Sequence, residues 1–326
     1  MKALTYQGPG NPPKLVGVEK PEIQRPTDAI VKLKYTTICG TDLHILKGDV
    51  PTIPSGLILG HEGVGTISST GPGISSFSPG DPVLISCISS CGTCTYCKRG
   101  MYSHCTTGGW ALGNKINGTQ AEYVRIPNAE NSLYKMPPGI DQEGLVMLSD
   151  IFPTGLECGV LNADVKPGST VAIIGAGPVG LAALITAQLY SPSVIVMVDP
   201  DANRLEVAKS LGATHTATPD KAVEVVKQVT EDVGCDAVLE VVGVPETFAQ
   251  CQDLVAPGGR LRMWAITTRL VDTTTTPMLL KLLAARKLPA DKLITHRFKF
   301  ADMEKAYETF GKAGQEKALK VLIEMS

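Results

Sequence analysis

The feature that most restricts how this chain can fold is the run Gly175-Ala176-Gly177-Pro178-Val179-Gly180, which follows directly on the apolar stretch Thr170-Val171-Ala172-Ile173-Ile174. Glycines are common at any tight turn, so the spacing alone is weak. Its context is what carries weight: an apolar strand stops at a glycine and a helix opens at once. The first glycine permits the sharp turn, the second lets backbone approach a pyrophosphate, and the third lets helix and strand pack closely. The helix opening at Pro178 and Val179 offers unpaired N–H groups and a positive dipole end to phosphates. Nineteen residues beyond Gly180, Asp199 closes the next apolar strand, where an acid would bond the adenosine ribose hydroxyls. A carboxylate there repels a 2′-phosphate, and Pro200-Asp201 rather than an arginine follow it, so NAD is favoured over NADP. Arg204 reads as a helix-face residue without a cofactor role.

The texture of the chain changes near residue 165. Strands are expected at 169–174, 193–198, 235–242 and 260–264, with helices at 180–190, 203–211, 222–230 and 247–254. Apolar strands alternating with helices mean a parallel sheet covered on both faces. Before this region, Gly and Pro turns such as Gly71-Pro72-Gly73 and Pro79-Gly80-Asp81 separate short apolar runs, including 29–33 and 82–85. That pattern predicts an irregular, mostly antiparallel β domain. After Thr273 to Thr276 come an expected helix at 278–286, an extended piece at 292–298, a helix at 301–311 and a strand at 318–323.

At 326 residues the chain exceeds what one hydrophobic core usually supports. Thirty basic and 32 acidic residues leave a net charge of −2 with no run of like charge. That argues against electrostatic binding of nucleic acid or an anionic membrane. No stretch of eighteen apolar residues occurs, and Met1-Lys2-Ala3-Leu4 leads into Gly-Pro turns rather than a signal-peptide core. The expectation is a cytoplasmic protein whose nine cysteines are reduced.

Four of those cysteines, Cys91, Cys94, Cys97 and Cys105, fall within fifteen residues. Neighbours this close form disulfides only with strain. Four thiolates on one short loop can instead converge on a tetrahedral zinc. The alternative is four unrelated buried thiols, and ligand spacing argues against it. Such a centre is closed and structural. A catalytic zinc needs three protein ligands and an open position. Cys39 and His61 are candidates, since a thiolate with an imidazole suits zinc; read alone, Cys39 would be a small buried hydrophobe.

Cys39-Gly40-Thr41-Asp42-Leu43-His44, then Gly60-His61-Glu62-Gly63-Val64-Gly65, then the four-cysteine loop and the Gly175–Gly180 turn, stand in an order that resembles the zinc-dependent medium-chain alcohol dehydrogenases. The resemblance runs the length of the chain. It implies α/β architecture: a doubly wound Rossmann sheet plus a GroES-like, mostly antiparallel catalytic β domain. Boundaries are expected at 1–154 with 277–326 for the catalytic domain and 155–276 for the NAD domain. It implies two zinc ions per chain, NAD, a small alcohol or carbonyl substrate, and a homodimer or tetramer.

Where the best-known members offer a second cysteine, this chain reads Ser149-Asp150-Ile151-Phe152-Pro153-Thr154-Gly155, so it resembles the subgroup with an aspartate ligand, assigned to Asp150. Read alone, Asp150 would be a helix N-terminal acid, and Cys158 falls in the connecting helix. Glu62 resembles the family's glutamate near the zinc, acting behind the ligands or as an exchange ligand. Thr41 and His44 match a hydroxyl-to-imidazole proton relay, Thr154 a nicotinamide contact, and Trp110 a pocket wall or a core aromatic. Formaldehyde or hydroxymethyl-adduct oxidation is an alternative within the class, because Ser149 to Gly155 resembles that subgroup. In the family another strand and helix follow the Gly258-Gly259-Arg260 turn and its strand. Here about twenty residues are absent relative to that pattern near residue 266. A catalytically inactive nucleotide-binding homologue is the reading that this loss would favour.

Overall fold

The structure, a computed structural model, describes residues 1–263 and 270–325. Two compact units divide the chain, Met1–Asp150 with Asp272–Ser326 and Ile151–Val271. The crossings fall slightly earlier than the sequence suggests. Asp150 is drawn into the first unit by its side-chain partners, and Asp272 by its carboxylate, which accepts from the Ser103 N–H and hydroxyl at 2.9 and 2.7 Å.

The first unit opens with a hairpin, β1 (Lys2–Thr5) against β2 (Lys14–Gly17). Its main sheet is built on the long strand β3 (Ala29–Ile38), in which Val31 and Leu33 are buried while Lys32 and Lys34 face out. That alternation marks one face as core. β4 (Gly63–Thr70), β5 (Pro82–Ile85), β6 (Tyr123–Ile126) and β7 (Leu133–Lys135) join it, all antiparallel to their partners.

The second unit is a five-stranded parallel sheet: β8 (Thr170–Ile174), β9 (Val194–Val198), β10 (His215–Ala217), β11 (Cys235–Glu240) and β12 (Val255–Met263), in the order β10-β9-β8-β11-β12. Strand order reverses between β8 and β11, which is where doubly wound sheets bind ligands. Four consecutive residues are buried in each of β8 and β9, as both-face coverage requires. β12 starts earlier than expected because Val255 already pairs with Cys235. The expected internal loss near residue 266 lies outside the described residues.

The chain then returns to the first unit through the helix Thr276–Ala284, the strand β13 (Ile294–Lys299), the helix Met303–Gly311 and β14 (Lys320–Glu324). β14 pairs antiparallel with β3, setting Val321 opposite Ile38. The resulting seven-stranded sheet is mixed only at the parallel β13–β14 pair. No helix among the described residues is long and apolar enough to cross a membrane.

Candidate metal centres and dinucleotide loop

Three connections bring the first candidate centre together. Cys39 follows directly on β3 and caps the helix Gly40–Lys47: its N–H donates to Asp42 Oδ2 at 2.9 Å. Asp42 is itself buried and held by Gln120 Nε2 at 3.1 Å. His61 follows Gly60, whose φ of +91° a side chain would strain; a Cβ there would sit 2.7 Å from both Gln120 Cγ and Thr119 Oγ1. Asp150 comes after the short helix Gln142–Val146, capped by the Asp141 carboxylate. Ser149 then clamps to β4: Gly63 N–H donates to its hydroxyl at 3.1 Å. Gly63 lies two residues past His61, so the same clamp sets Asp150 against His61.

The result is a convergence of Cys39, His61, Glu62 and Asp150, whose candidate ligand atoms all lie within 4.8 Å of one another. Asp150 Oδ2 is 3.3 Å from His61 Nε2 and 4.0 Å from Cys39 Sγ. Its other oxygen, Oδ1, faces the buried Cys87 thiol at 3.6 Å. Burial alone would lower the His61 pKa, but hydrogen bonds to Asp150 and Cys39, with their charge, raise it well above the usual imidazole value. A thiol, an imidazole and carboxylates packed this closely are electron-rich and match a zinc donor set.

Glu62 is tied elsewhere as well. Lys320 Nζ lies 2.7 Å from its Oε1 and 2.5 Å from its Oε2, and the Thr37 hydroxyl donates to Oε2. Glu62 and Lys320 are each 1% exposed. Burial works to discharge Lys320, yet the Glu62 charge and hydrogen bond outweigh it and hold its pKa above the ordinary lysine value.

Around this centre, Thr41 Oγ1 is 3.7 Å from Cys39 Sγ. His44, one turn along the same helix, is mostly exposed and its Nδ1 pairs with Asp49 Oδ2 at 2.7 Å. Trp110 meets the His61 ring edge-on with centroids 6.3 Å apart, and its buried indole N–H has no hydrogen-bond partner among the described residues.

Cys91, Cys94, Cys97 and Cys105 form the second convergent group. Their environments pull the thiols apart. A hydrogen bond from Thr93 leads in lowering Cys91 to about 5, and the Cys97 N–H leads in lowering Cys94 to about 7. Burial pushes Cys97 to about 12. His104, within the loop, is half-buried and tilts against Tyr96 with ring centroids 5.8 Å apart.

In the second unit Gly175 turns the chain at a φ of +107°, and an ideal Cβ on Gly180 would lie 1.8 Å from the Gly175 carbonyl oxygen. A Cβ on Gly177 meets nothing within 4 Å, so that side of the loop is open. Gly177 caps the helix Pro178–Ala187, with Pro178 in its first turn beside Val179. Asp199 is buried; its Oδ2 accepts from the Ala176 N–H at 2.7 Å and its Oδ1 from the Asp201 N–H at 2.8 Å. Arg204, on the helix Ala202–Ser210, brings its guanidinium to 4.0 Å from Asp199 Oδ2. Thr154 is buried in the four-residue helix Ile151–Thr154, and Cys158 lies in the π-helical segment Gly155–Leu161 that follows.

Residues 25–138 match the alcohol dehydrogenase GroES-like domain and residues 178–310 the zinc-binding dehydrogenase domain. An alcohol dehydrogenase of Cupriavidus necator is 31% identical across 99% of this chain and 98% of its own length. The zinc-type alcohol dehydrogenase B of Aspergillus flavus is 38% identical over 80% of this chain, a match that spans 62% of that relative. Among solved structures, zinc dependent alcohol dehydrogenase 2 from Streptococcus pneumonia superimposes with a TM-score of 0.94 at 50% identity, covering 100% of this chain and 99% of that one. The chain belongs to the zinc-dependent medium-chain alcohol dehydrogenase family. It is therefore an oxidoreductase of the zinc-dependent, nicotinamide-linked class.

Proposed function

We propose that the chain carries two zinc ions, a structural one held by Cys91, Cys94, Cys97 and Cys105 and a catalytic one held by Cys39, His61 and Asp150, and that it transfers hydride between a small alcohol and NAD. The observation that carries this reading is the convergence of Cys39, His61, Glu62 and Asp150 within 4.8 Å. A closed four-thiol centre leaves no position for substrate, whereas a thiol, an imidazole and a single carboxylate oxygen do. Zinc, when bound, polarises the alcohol oxygen and lowers its pKa, and the nicotinamide accepts the hydride.

The protein's own groups do the rest. Ser149 and Cys87 hold Asp150, whose Oδ2 lies toward His61 and Cys39. Thr41, beside the Cys39 sulfur, takes the hydroxyl proton, and His44 passes it outward. The Asp49 carboxylate at His44 Nδ1 selects the tautomer that leaves Nε2 free to accept. His44 stands in water, as the outer end of such a relay must. Gly175, Gly177 and Gly180 shape the loop for the pyrophosphate, with Asp199 disfavouring a 2′-phosphate. Trp110 walls the substrate side of His61, and Thr154 supports the nicotinamide.

The cellular setting carried by this reading is cytoplasmic, with the chain assembled as a homodimer or tetramer. A panel of primary, secondary and polyol alcohols, followed by NADH absorbance, tests the activity. Reduction of NAD by at least one alcohol supports it. No reduction by any, in folded and zinc-loaded protein, overturns it.

A further inference from the structure

The centre offers one donor too many. Four candidate ligands converge, and a fourth protein ligand would close a tetrahedral zinc against substrate. Among them Glu62 carries an ion pair to a buried lysine. The Lys320 ammonium engages both of its oxygens, at 2.7 and 2.5 Å, and Thr37 donates to Oε2 as well. Lys320 also donates to the Ile38 carbonyl at 3.4 Å, one residue before Cys39. It is thus tied both to Glu62 and to the backbone immediately before Cys39.

The charges explain why this matters. Cys39 and Asp150 as anions balance a divalent cation, and Lys320 balances Glu62. Without the ammonium, Glu62 becomes a buried anion with no counter-charge, an expensive state unless a cation is reached. A metal at the neighbouring donors would be within its range.

We propose that Lys320 is a positioning residue that holds Glu62 out of the metal's coordination sphere and so keeps the substrate position open. This rests on the reading that Cys39, His61 and Asp150 hold the catalytic metal. Lys320 touches neither substrate nor metal; it acts through Glu62.

Cobalt(II) replaces zinc in the test, because its visible absorption reports coordination independently of turnover. Imidazole is the probe for an open position. The parent protein takes up two cobalt ions per chain, and imidazole shifts the band of the open centre alone, since four thiolates leave no room at the other. Lys320→Met is expected to retain two cobalt ions with a changed resting spectrum and at least a tenfold weaker imidazole response. Adding Glu62→Gln to Lys320→Met restores the response, and Lys320→Arg preserves it. A merely structural tie between β14 and β3 would lower stability without moving imidazole affinity. Should Lys320→Met fail to fold, Lys320→Gln retains N–H donors toward Glu62 and is expected to change the imidazole response in the same direction. Lys320→Met or Lys320→Gln binding two cobalt ions and imidazole as the parent does overturns the proposal. A parent that binds only one cobalt overturns the underlying assignment of the catalytic centre instead, so the two failures are distinguishable.

Discussion

Replacing Asp199 with Ala removes the one carboxylate that stands at the end of β9 beside the dinucleotide loop. Besides the bond to the adenosine ribose of NAD, which goes with the carboxylate and itself raises the NADP/NAD ratio, two effects follow, and they separate. The first is mechanical: the Ala176 N–H loses its 2.7 Å acceptor, so the loop is less well held for any dinucleotide. Hydrogen bonds to charged groups contribute about 1.5–3 kcal/mol, and this loss falls on NAD and NADP alike. The second is electrostatic and falls on NADP alone. Two like charges about 4 Å apart repel by about 1 kcal/mol in water and about 4 kcal/mol at the effective dielectric of a protein surface. Removing that repulsion changes the ratio of kcat/KM for NADP over NAD by roughly 5-fold to roughly 1,000-fold. Arg204, 4.0 Å from the same carboxylate, is then released to meet a 2′-phosphate, which places the expected shift in the upper part of that range. The assay is steady-state kinetics with both cofactors on one alcohol, comparing Asp199→Ala with Asp199→Ala/Arg204→Ala. A rise in the ratio that the second substitution reduces is the expected result. Equal losses for both cofactors, with the ratio unchanged, would refute the electrostatic reasoning.

Gly177→Ala and Gly180→Ala are expected to fail differently. The first meets no protein atom within 4 Å and so leaves Tm unchanged while weakening NADH binding, as read by fluorescence titration. The second drives a Cβ to 1.8 Å from the Gly175 oxygen and lowers Tm as well. Glu130 accepts from the Ser75 and Ser76 N–H groups at 2.6 and 2.9 Å; against the opposing effect of burial, these bonds hold its carboxyl down at about 2. Its contribution is therefore complete above the ordinary glutamate pKa and is lost as pH falls from about 4.5 toward about 2. Denaturation of Glu130→Gln across that range should show a shallower acid limb than the parent; identical limbs would count against it. Cys97→Ser is expected to release one zinc and lower Tm, with proteolysis appearing between residues 91 and 105. Unchanged zinc content would contradict a four-thiolate centre.

Much of this architecture is legible in the sequence because local chemistry repeats it. The apolar strand, the glycine turn and the acid at Asp199 each specify the same strand–helix–strand unit. The four cysteines lie close enough in the chain that spacing alone brings them together. Other parts depend on contacts that no spacing reveals. Lys320 meets Glu62 only because β14 pairs with β3, joining the last strand to one of the first. Its signal was a single lysine inside the apolar run Ala318 to Ile323, which a strand reading passes over as an outward-facing residue. Cys87 reaches Asp150 through the backbone bond from its N–H to the Ser149 carbonyl at 3.1 Å, again a long-range contact. Asp42 was more accessible to sequence reasoning: it lies three residues after Cys39, where a capping acid reaches back to the backbone. The contact of Arg204 with Asp199 is likewise invisible in the sequence, since a helix-face arginine looks the same whether it faces water or a carboxylate that closes the preceding strand.

The central claim is that a second, substrate-accessible zinc is held by Cys39, His61 and Asp150. Metal content of purified, folded protein tests it most directly, measured for the parent beside Asp150→Ala. Two zinc ions per chain in the parent, falling to one in the variant while the four-cysteine centre stays filled, is the expected result. One zinc per chain in the parent, or two retained without Asp150, would contradict the account.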